Sequence, residues 1–440
     1  MSHLPTLIAD LALILISASV ITLLFKWMKQ PLVLGYIIAG LLAGPYINIF
    51  PTVGDIENIN IWAEIGVIFL LFALGLEFSF KKLMNVGSTA FITATTEVVS
   101  MLLIGFLVGQ LLGWGTMNSI FLGGMLSMSS TTIIIKAFDD LGVQKERFAQ
   151  LVFGTLVIED IAGIFMMIIL STISVGQGIS GMALALKLGM LVLYLALWLI
   201  LGIYLLPTLL NKASPLMSDE TLLVVSLGLC FGMVLLADAL GFSSALGAFL
   251  AGSLLAGTVH AERVEHLTQG VKDLFGAVFF ISVGMMLDPA MVVKYIVPIL
   301  VLTLVTIVGK LFFSSMGVLL SGQSLKNAVH CGCSLAQIGE FAFIIASLGL
   351  SLGVIADYIY PIIIAVSVIT TLTTPFFIKH SDNIYAFVVK ILPEKLTQKL
   401  ERYTDEEQSE KEQDSDWSAF LSRYIRTVAL YGVIMAGIGI

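Results

Sequence analysis

Charge is what this 440-residue sequence has least of: 12% of its residues are Asp, Glu, Lys or Arg, while 58% are hydrophobic. A soluble domain averages about 25% charged residues. With a mean hydropathy of +1.02, a globule in water could not cover its surface with polar groups, so the solvent for most of this chain is lipid. Cysteine is almost missing too. Cys230, Cys331 and Cys333 all sit inside apolar stretches, which excludes a disulfide framework, and no CxxC pair or His/Cys cluster points to a structural metal. There is no GxxxxGK[ST], no GxGxxG after a strand and no HExxH, so ATP does not drive the chain and zinc proteolysis is excluded. No cofactor, no enzymatic activity and no nucleic-acid partner is expected. Residues 1–5 carry no Lys or Arg, which disfavours a cleaved signal peptide and favours a retained first helix.

What the sequence does have is a succession of apolar runs. Thirteen segments are expected to span the membrane: 5–25, 31–48, 60–80, 88–112, 117–138, 147–173, 183–209, 218–238, 241–258, 272–287, 291–319, 325–350 and 354–378. Crossing about 30 Å of hydrocarbon takes roughly 20 helical residues. A helix satisfies its own backbone hydrogen bonds in lipid, and the continuous runs lack the short alternation of barrel strands. The fold class expected is therefore an all-α polytopic membrane protein.

The basic residues set its orientation. With the N-terminus outside, the cytoplasmic loops hold Lys26, Lys29, Lys81, Lys82, Lys136, Lys145, Arg147, Lys212, Arg263, Lys272 and Lys326. The outer loops hold only Lys187 and Lys294, together with the acidic Asp55 and Glu57. That alternation follows the positive-inside rule and puts the C-terminus in the cytoplasm. Beyond the spans, residues 381–426 read as a cytoplasmic linker, with the acidic, aromatic-poor stretch 394–416 solvated or disordered. Residues 427–440 form a 14-residue apolar run, too short to span, and are expected to be the start of a further helix cut short.

Ionisable groups deep in a membrane segment are costly and mark candidate sites. Glu159 and Asp160 lie in the middle of LVFGTLVIEDIAGIFMMIIL. Two adjacent carboxylates at that depth must bind a cation, pair with a base or take up protons. An ion/proton exchanger needs that property, because its two substrates occupy one site in turn. Neighbours on a helix point about 100° apart, so one faces the site and the other a packing neighbour; Asp160 is the expected principal ligand. The bland alternative is a buried pair that only fixes helix packing. Lys310, in LTLVTIVGKLFFSSMGVL, needs a carboxylate partner, and Asp160 is the natural candidate; the alternative is an amine that snorkels to the interface. Glu97 is expected to belong to a structural polar network.

Two segments look interrupted. One reads FLGGMLSMSSTTIIIKAF, with Ser127, Ser129, Ser130, Thr131 and Thr132 after a Gly pair; the other reads NAVHCGCSLAQIGEFAFIIASLG, with Gln337, Gly339 and Glu340. Transporters build midplane sites from broken helices at matching positions of two repeats. Segments four to six and eleven to thirteen are such triplets. Corresponding members are offset by seven segments, an odd number, so the triplets run in opposite directions as inverted repeats. Alternatively, the Ser and Thr hydroxyls only bond back to their own helix. Glu340 either caps its helix or pairs with Lys310.

These residues resemble the bacterial monovalent cation/proton antiporters of the second cation-proton antiporter class, including sodium/proton exchangers and the membrane part of glutathione-gated potassium efflux systems. The resemblance covers about residues 6–378. It rests on LGYIIAGLLAGP (34–45), TLVIEDIAGI (155–164), FFISVGMMLDP (279–289), Gly309–Lys310 and AQIGEFAF (336–343). It implies a homodimer in which a six-helix core, here about 88–173 and 291–378, carries two crossed, interrupted helices and slides elevator-like against a dimer domain. By position it makes Asp160 the ion- and proton-binding aspartate, with Glu159 before it helping to set stoichiometry. Lys310 becomes the lysine paired with the carboxylate, and Thr131 and Thr132 line the first break. The implied function is exchange of Na⁺ (or Li⁺) for H⁺ across the inner membrane, with K⁺/H⁺ exchange or ligand-gated K⁺ efflux as the rival. An intramembrane aspartyl protease lacks its GxGD here, and a non-transporting sensor leaves the buried ion pair idle.

Overall fold

The computed structural model describes residues 6–28, 32–47, 56–77, 87–175, 217–239 and 244–392, with Thr208 and Lys212. All regular structure among them is helical. In chain order the helices are α1 (Thr6–Trp27), α2 (Leu32–Ala43), α3 (Ile56–Glu77), α4 (Ser88–Leu111), α5 (Thr116–Leu126), α6 (Thr131–Leu141), α7 (Arg147–Val175) and α8 (Asp219–Ala239). They continue with α9 (Ser244–Ala256), α10 (Ala261–Met285), α11 (Pro289–Lys294), α12 (Ile296–Leu320), α13 (Leu325–Leu335), α14 (Glu340–Ser351), α15 (Ile359–Lys379) and α16 (Ser381–Ile391).

Twelve of the thirteen expected segments have a helical counterpart; the segment 183–209 lies outside the described residues, as do the linker beyond Leu392 and the run 427–440. By length and composition, 8 stretches among the described residues can cross a membrane, with α5 and α6 counted as one, or 9 if α13 and α14, bent by 46°, also count as one span. Three further expected segments, 31–48, 241–258 and 272–287, match helices that this count by length and composition leaves out. The reasons are local. α2 and α9 have only 12 and 13 residues, about 20 Å of helix at 1.5 Å per residue. α10 begins at Ala261, well before the predicted boundary at 272, and its first half carries Glu262, Arg263, Glu265, Lys272 and Asp273. The predicted segment 291–319 divides at Tyr295, where Asp288 caps the short α11 by accepting from Ala290 N at 2.8 Å. The linker expected from residue 381 starts instead as α16.

Two packing groups follow from the sequence. α3 packs between α9 and α10, and α2 crosses α10, with α1 against α2. These crossings are close because glycines meet backbone: a Cβ on Gly284 would strike the carbonyl of Ile37, and one on Gly252 that of Phe72. Small residues at such contacts let helices approach in lipid, where apolar burial gives little drive. Ile14, Phe25, Leu34, Trp62 and Val278 fill the core beneath α1. In the second group α4 packs on α5 and α12, α12 on α13 and α15, and α7 on α4 and α13. Phe138, Phe148, Val152, Val318 and Ala328 fill one end of it.

Candidate ion-exchange site

The breaks fall where the Gly/Ser/Thr clusters predicted them, at 127–130 between α5 and α6 and at 336–339 between α13 and α14. They lie against each other. Gly339 N donates to the Met128 carbonyl at 2.8 Å, and Gln337 Nε2 to the Ser130 carbonyl at 3.1 Å. Other freed backbone groups find partners on neighbouring helices, Ile338 N and O being met by the hydroxyls of Thr370 and Ser367, as hydrocarbon depth requires. Only glycine fits at 339, since a Cβ there would collide with the Ser129 carbonyl. Two helix C-termini (α5, α13) and two N-termini (α6, α14) meet at this point, giving partial charges of both signs in one small volume.

A buried knot of charge occupies the side facing α4 and α12. Lys310 is 0% exposed. Its Nζ donates to Glu97 Oε1 at 2.7 Å, to Ser129 Oγ at 2.6 Å and to the Ser127 carbonyl at the end of α5 at 3.3 Å. An ammonium has three hydrogens, so all are used. Glu97, also 0% exposed, accepts at its other oxygen from Ser314 Oγ at 2.6 Å. Glu159 approaches the same amine at 3.9 Å and accepts from Ser129 N at 2.8 Å. Its Oε1 is buried with no hydrogen-bond partner among the described residues. The sequence-based pairing of Lys310 with Asp160, and the alternative with Glu340, are both corrected: the amine belongs to Glu97, with Glu159 close by.

Asp160 lies on a different side of α7. It is part-exposed, unlike Glu159 at 1%, and accepts from Thr131 Oγ1 at 3.4 Å. Thr131 opens α6, so the carboxylate stands at a positive helix end, where negative charge is favoured. Ser130 Oγ and Thr132 Oγ1 are 3.1 Å apart; Ser130 is buried and Thr132 exposed. Glu340 starts α14, lines a minute pocket of about 10 Å³ with Ile37, Ser367 and Thr371, and has a buried Oε2 without a partner among the described residues. The structure thus gathers Ser129, Ser130, Thr131, Gln337, Glu159 and Asp160 at the crossing. It adds Glu97 and Ser314, whose place beside Lys310 the sequence reading missed. Ser314 follows Lys310 by one helical turn, and that spacing was the available signal.

An adjacent pair of acids, one buried beside an ion-paired amine and one reachable at a helix N-terminus, in a bundle of broken helices, is the arrangement of a secondary transporter. Residues 14–379 match the family described as sodium/hydrogen exchanger, transmembrane. The chain belongs to that family, one of monovalent cation:proton antiporters. It is 31% identical over 423 residues to YbaL of Escherichia coli (strain K12), whose name provisionally assigns it as a cation/proton antiporter; the match covers 94% of this chain and 73% of YbaL. It is 29% identical over 381 residues to K(+) efflux antiporter 5 of Arabidopsis thaliana, covering 85% of this chain and 66% of that protein, just under two thirds of its length. In fold it resembles the sodium proton antiporter MjNhaP1 from Methanocaldococcus jannaschii, with a TM-score of 0.64 at 18% identity, covering 86% of this chain and 99% of that one.

Proposed function

We propose that the chain exchanges one monovalent cation for one proton at Asp160, without net charge movement, across a bacterial inner membrane. One observation carries the reading: of the two adjacent carboxylates, only Asp160 is part-exposed and clear of Lys310. A carboxylate at membrane depth is neutralised by a metal cation or a proton, and those two occupants exclude each other at a single acid. Glu97, Lys310 and Glu159 hold a constant charge through the cycle, because the amine's donors are all taken within the protein. The second carboxylate does not then carry a second proton. Thr131 supplies a hydroxyl oxygen beside Asp160, and the hydroxyls of Ser130 and Thr132 flank it in the chain, the hard ligands that alkali cations take.

Alternating access is elevator-like in this proposal. The group built on α4–α7 and α12–α15 moves against the group built on α1–α3 and α8–α10, and two copies pair through the latter. The exposed Ile16, Val20, Leu23 and Trp27 of α1 fit a lipid or partner contact. The N-terminus lies outside and the C-terminus in the cytoplasm. Sodium is the first reading for the cation, in line with the family description and with MjNhaP1, itself described as a sodium proton antiporter. Potassium is the second, in line with the name of the plant relative.

The test is proton flux in proteoliposomes on addition of Na⁺, K⁺ or Li⁺. Wild type moves protons against at least one cation, and Asp160→Asn falls to the level of empty vesicles. Substantial flux in that variant refutes the assignment, and the ranking of the three ions decides between the two readings.

A further inference from the structure

The helix that follows the last span carries an apolar surface for which ion exchange has no use. α15, 21 residues long and apolar enough to cross a membrane, ends at Lys379. α16 begins at Ser381, with His380 alone between them, so it starts at the depth where α15 leaves the hydrocarbon. One face of α16 is packed. Ile384, Val388 and Leu392 lie on Leu325 and Val329 of α13, in a cluster that Leu319 of α12 and Phe377 of α15 also join. α16 therefore rests against the flank of helices that enter the membrane.

A helix packed on one side and bathed in water on the other is polar on its outer face. α16 is not. Phe387 and Ile391, one turn apart on that face, are each 63% exposed, and Ala386 is exposed beside them. The charges around this patch form a second, independent observation. Lys379 in the last turn of α15 and Lys390 in the last turn of α16 are both exposed. The one acid of α16, Asp382, is matched by Lys326 at 3.1 Å. The surface thus presents an apolar centre with a net positive rim.

We propose that the outer face of α16 is a docking surface for the anionic cytoplasmic leaflet: Phe387 and Ile391 enter the boundary between headgroups and acyl chains, and Lys379 and Lys390 bind lipid phosphates. This uses the orientation proposed above, with the C-terminus in the cytoplasm, and does not depend on exchange at Asp160. Position and charge both select lipid. The face opens where a spanning helix ends, and its lysines complement the phosphates that lie at that level. An amphipathic helix of this kind sinks its apolar side about 5–10 Å into the interface, and basic residues next to a span are drawn to anionic headgroups. Their long apolar stems let the two lysines reach the headgroups while lying along the helix.

The test uses the full chain in vesicles of phosphatidylcholine with or without phosphatidylglycerol. A spin label is placed on the outer face at Ala386→Cys, which leaves Phe387 and Ile391 intact; the native Cys230, Cys331 and Cys333 are buried and do not compete for it. With phosphatidylglycerol the label meets dissolved oxygen readily and is shielded from a water-soluble nickel chelate. Amide hydrogen exchange of α16 in the unlabelled chain is then slower on the order of tenfold than in phosphatidylcholine alone, the scale set by two lysines near an anionic surface. Lys379→Gln/Lys390→Gln abolishes that difference between the two lipids. Phe387→Ser/Ile391→Ser speeds α16 exchange in both and opens the label to the chelate. Circular dichroism of each variant matches wild type, so that a lost fold is not read as lost docking. A label shielded from both reagents shows that protein covers the face, with dipolar broadening between labels marking a second copy. A label open to the chelate in both lipids shows that water covers it. Either result, or α16 exchange indifferent to phosphatidylglycerol, overturns the proposal. None of these readouts uses cation flux, so a failure of the Asp160 reading is seen separately.

Discussion

Glu159 and Asp160 are chain neighbours with opposite surroundings. On the Glu159 side, Glu97, Lys310, Ser129 and Ser314 form a dry cluster joining α4, α7, α12 and the first helix break. On the Asp160 side, one carboxylate meets the start of α6 and is part-exposed. The 100° between successive helical residues is enough to separate a fixture from a working group. Burial makes the first rigid: once its donors and acceptors are matched, removing one partner strands a charge in a medium that cannot solvate it. Access makes the second exchangeable in the proposed reading. The presence of two acids in one motif therefore does not mean that two protons move.

That contrast can be broken from either side. The largest stability loss is expected from Lys310→Ala, which leaves Glu97 buried and unpaired at a cost of about 3–5 kcal/mol. Thermal unfolding in detergent measures it, and Glu97→Gln combined with Lys310→Met recovers much of the loss because the two sites are coupled. A Lys310→Ala variant of wild-type stability would mean that the amine is not held as described. Next comes Gly339→Ala, which drives a methyl into the Ser129 carbonyl. Overpacking of this kind costs about 1–3 kcal/mol, and because it spreads the two breaks it slows exchange as well, read as proton flux.

The smallest effect lies at the edge of the molecule. Lys326 Nζ is 3.1 Å from Asp382 Oδ1, tying α13 to α16, and His330 Nε2 is 3.3 Å from the same oxygen. The hydrogen bond from Lys326 is the main reason the Asp382 carboxyl is held below its usual value. The tie is therefore complete above the ordinary aspartate pKa, about 3.9, and is lost as pH falls through the lowered one. With Asp382 71% exposed, Asp382→Asn costs no more than about 1 kcal/mol, seen as faster proteolysis of the α16 segment and no change in the exchange rate.

Much of this was legible from local patterns. Apolar runs marked the helices because lipid demands about 20 such residues in a row, and the Ser/Thr/Gly clusters marked both breaks because freed backbone groups need small or polar company. Partnerships across the bundle were not legible. Lys310 and Glu97 are 213 positions apart, and a lysine in the middle of an apolar run announces only that it needs an acid, not which one. Asp160 was the obvious choice by motif, yet α4 brings Glu97 closer. The short α2 and α9 escaped because hydropathy extends through Gly44 and beyond Ala256, whereas the helices stop at Ala43 and Ala256. The opening half of α10 escaped because its charges masked it as a loop.

The central claim is that Asp160 alone changes occupancy while Lys310 stays with Glu97. Its most direct test is the reversal point of proton flux in proteoliposomes with the cation and proton gradients fixed and a membrane potential imposed. One-for-one exchange predicts a reversal set by the two ion gradients and unmoved by potentials of either sign. A reversal that shifts with the imposed voltage, each net charge moved being worth about 2.3 kcal/mol per 100 mV, would show that a second charge travels and would contradict the account.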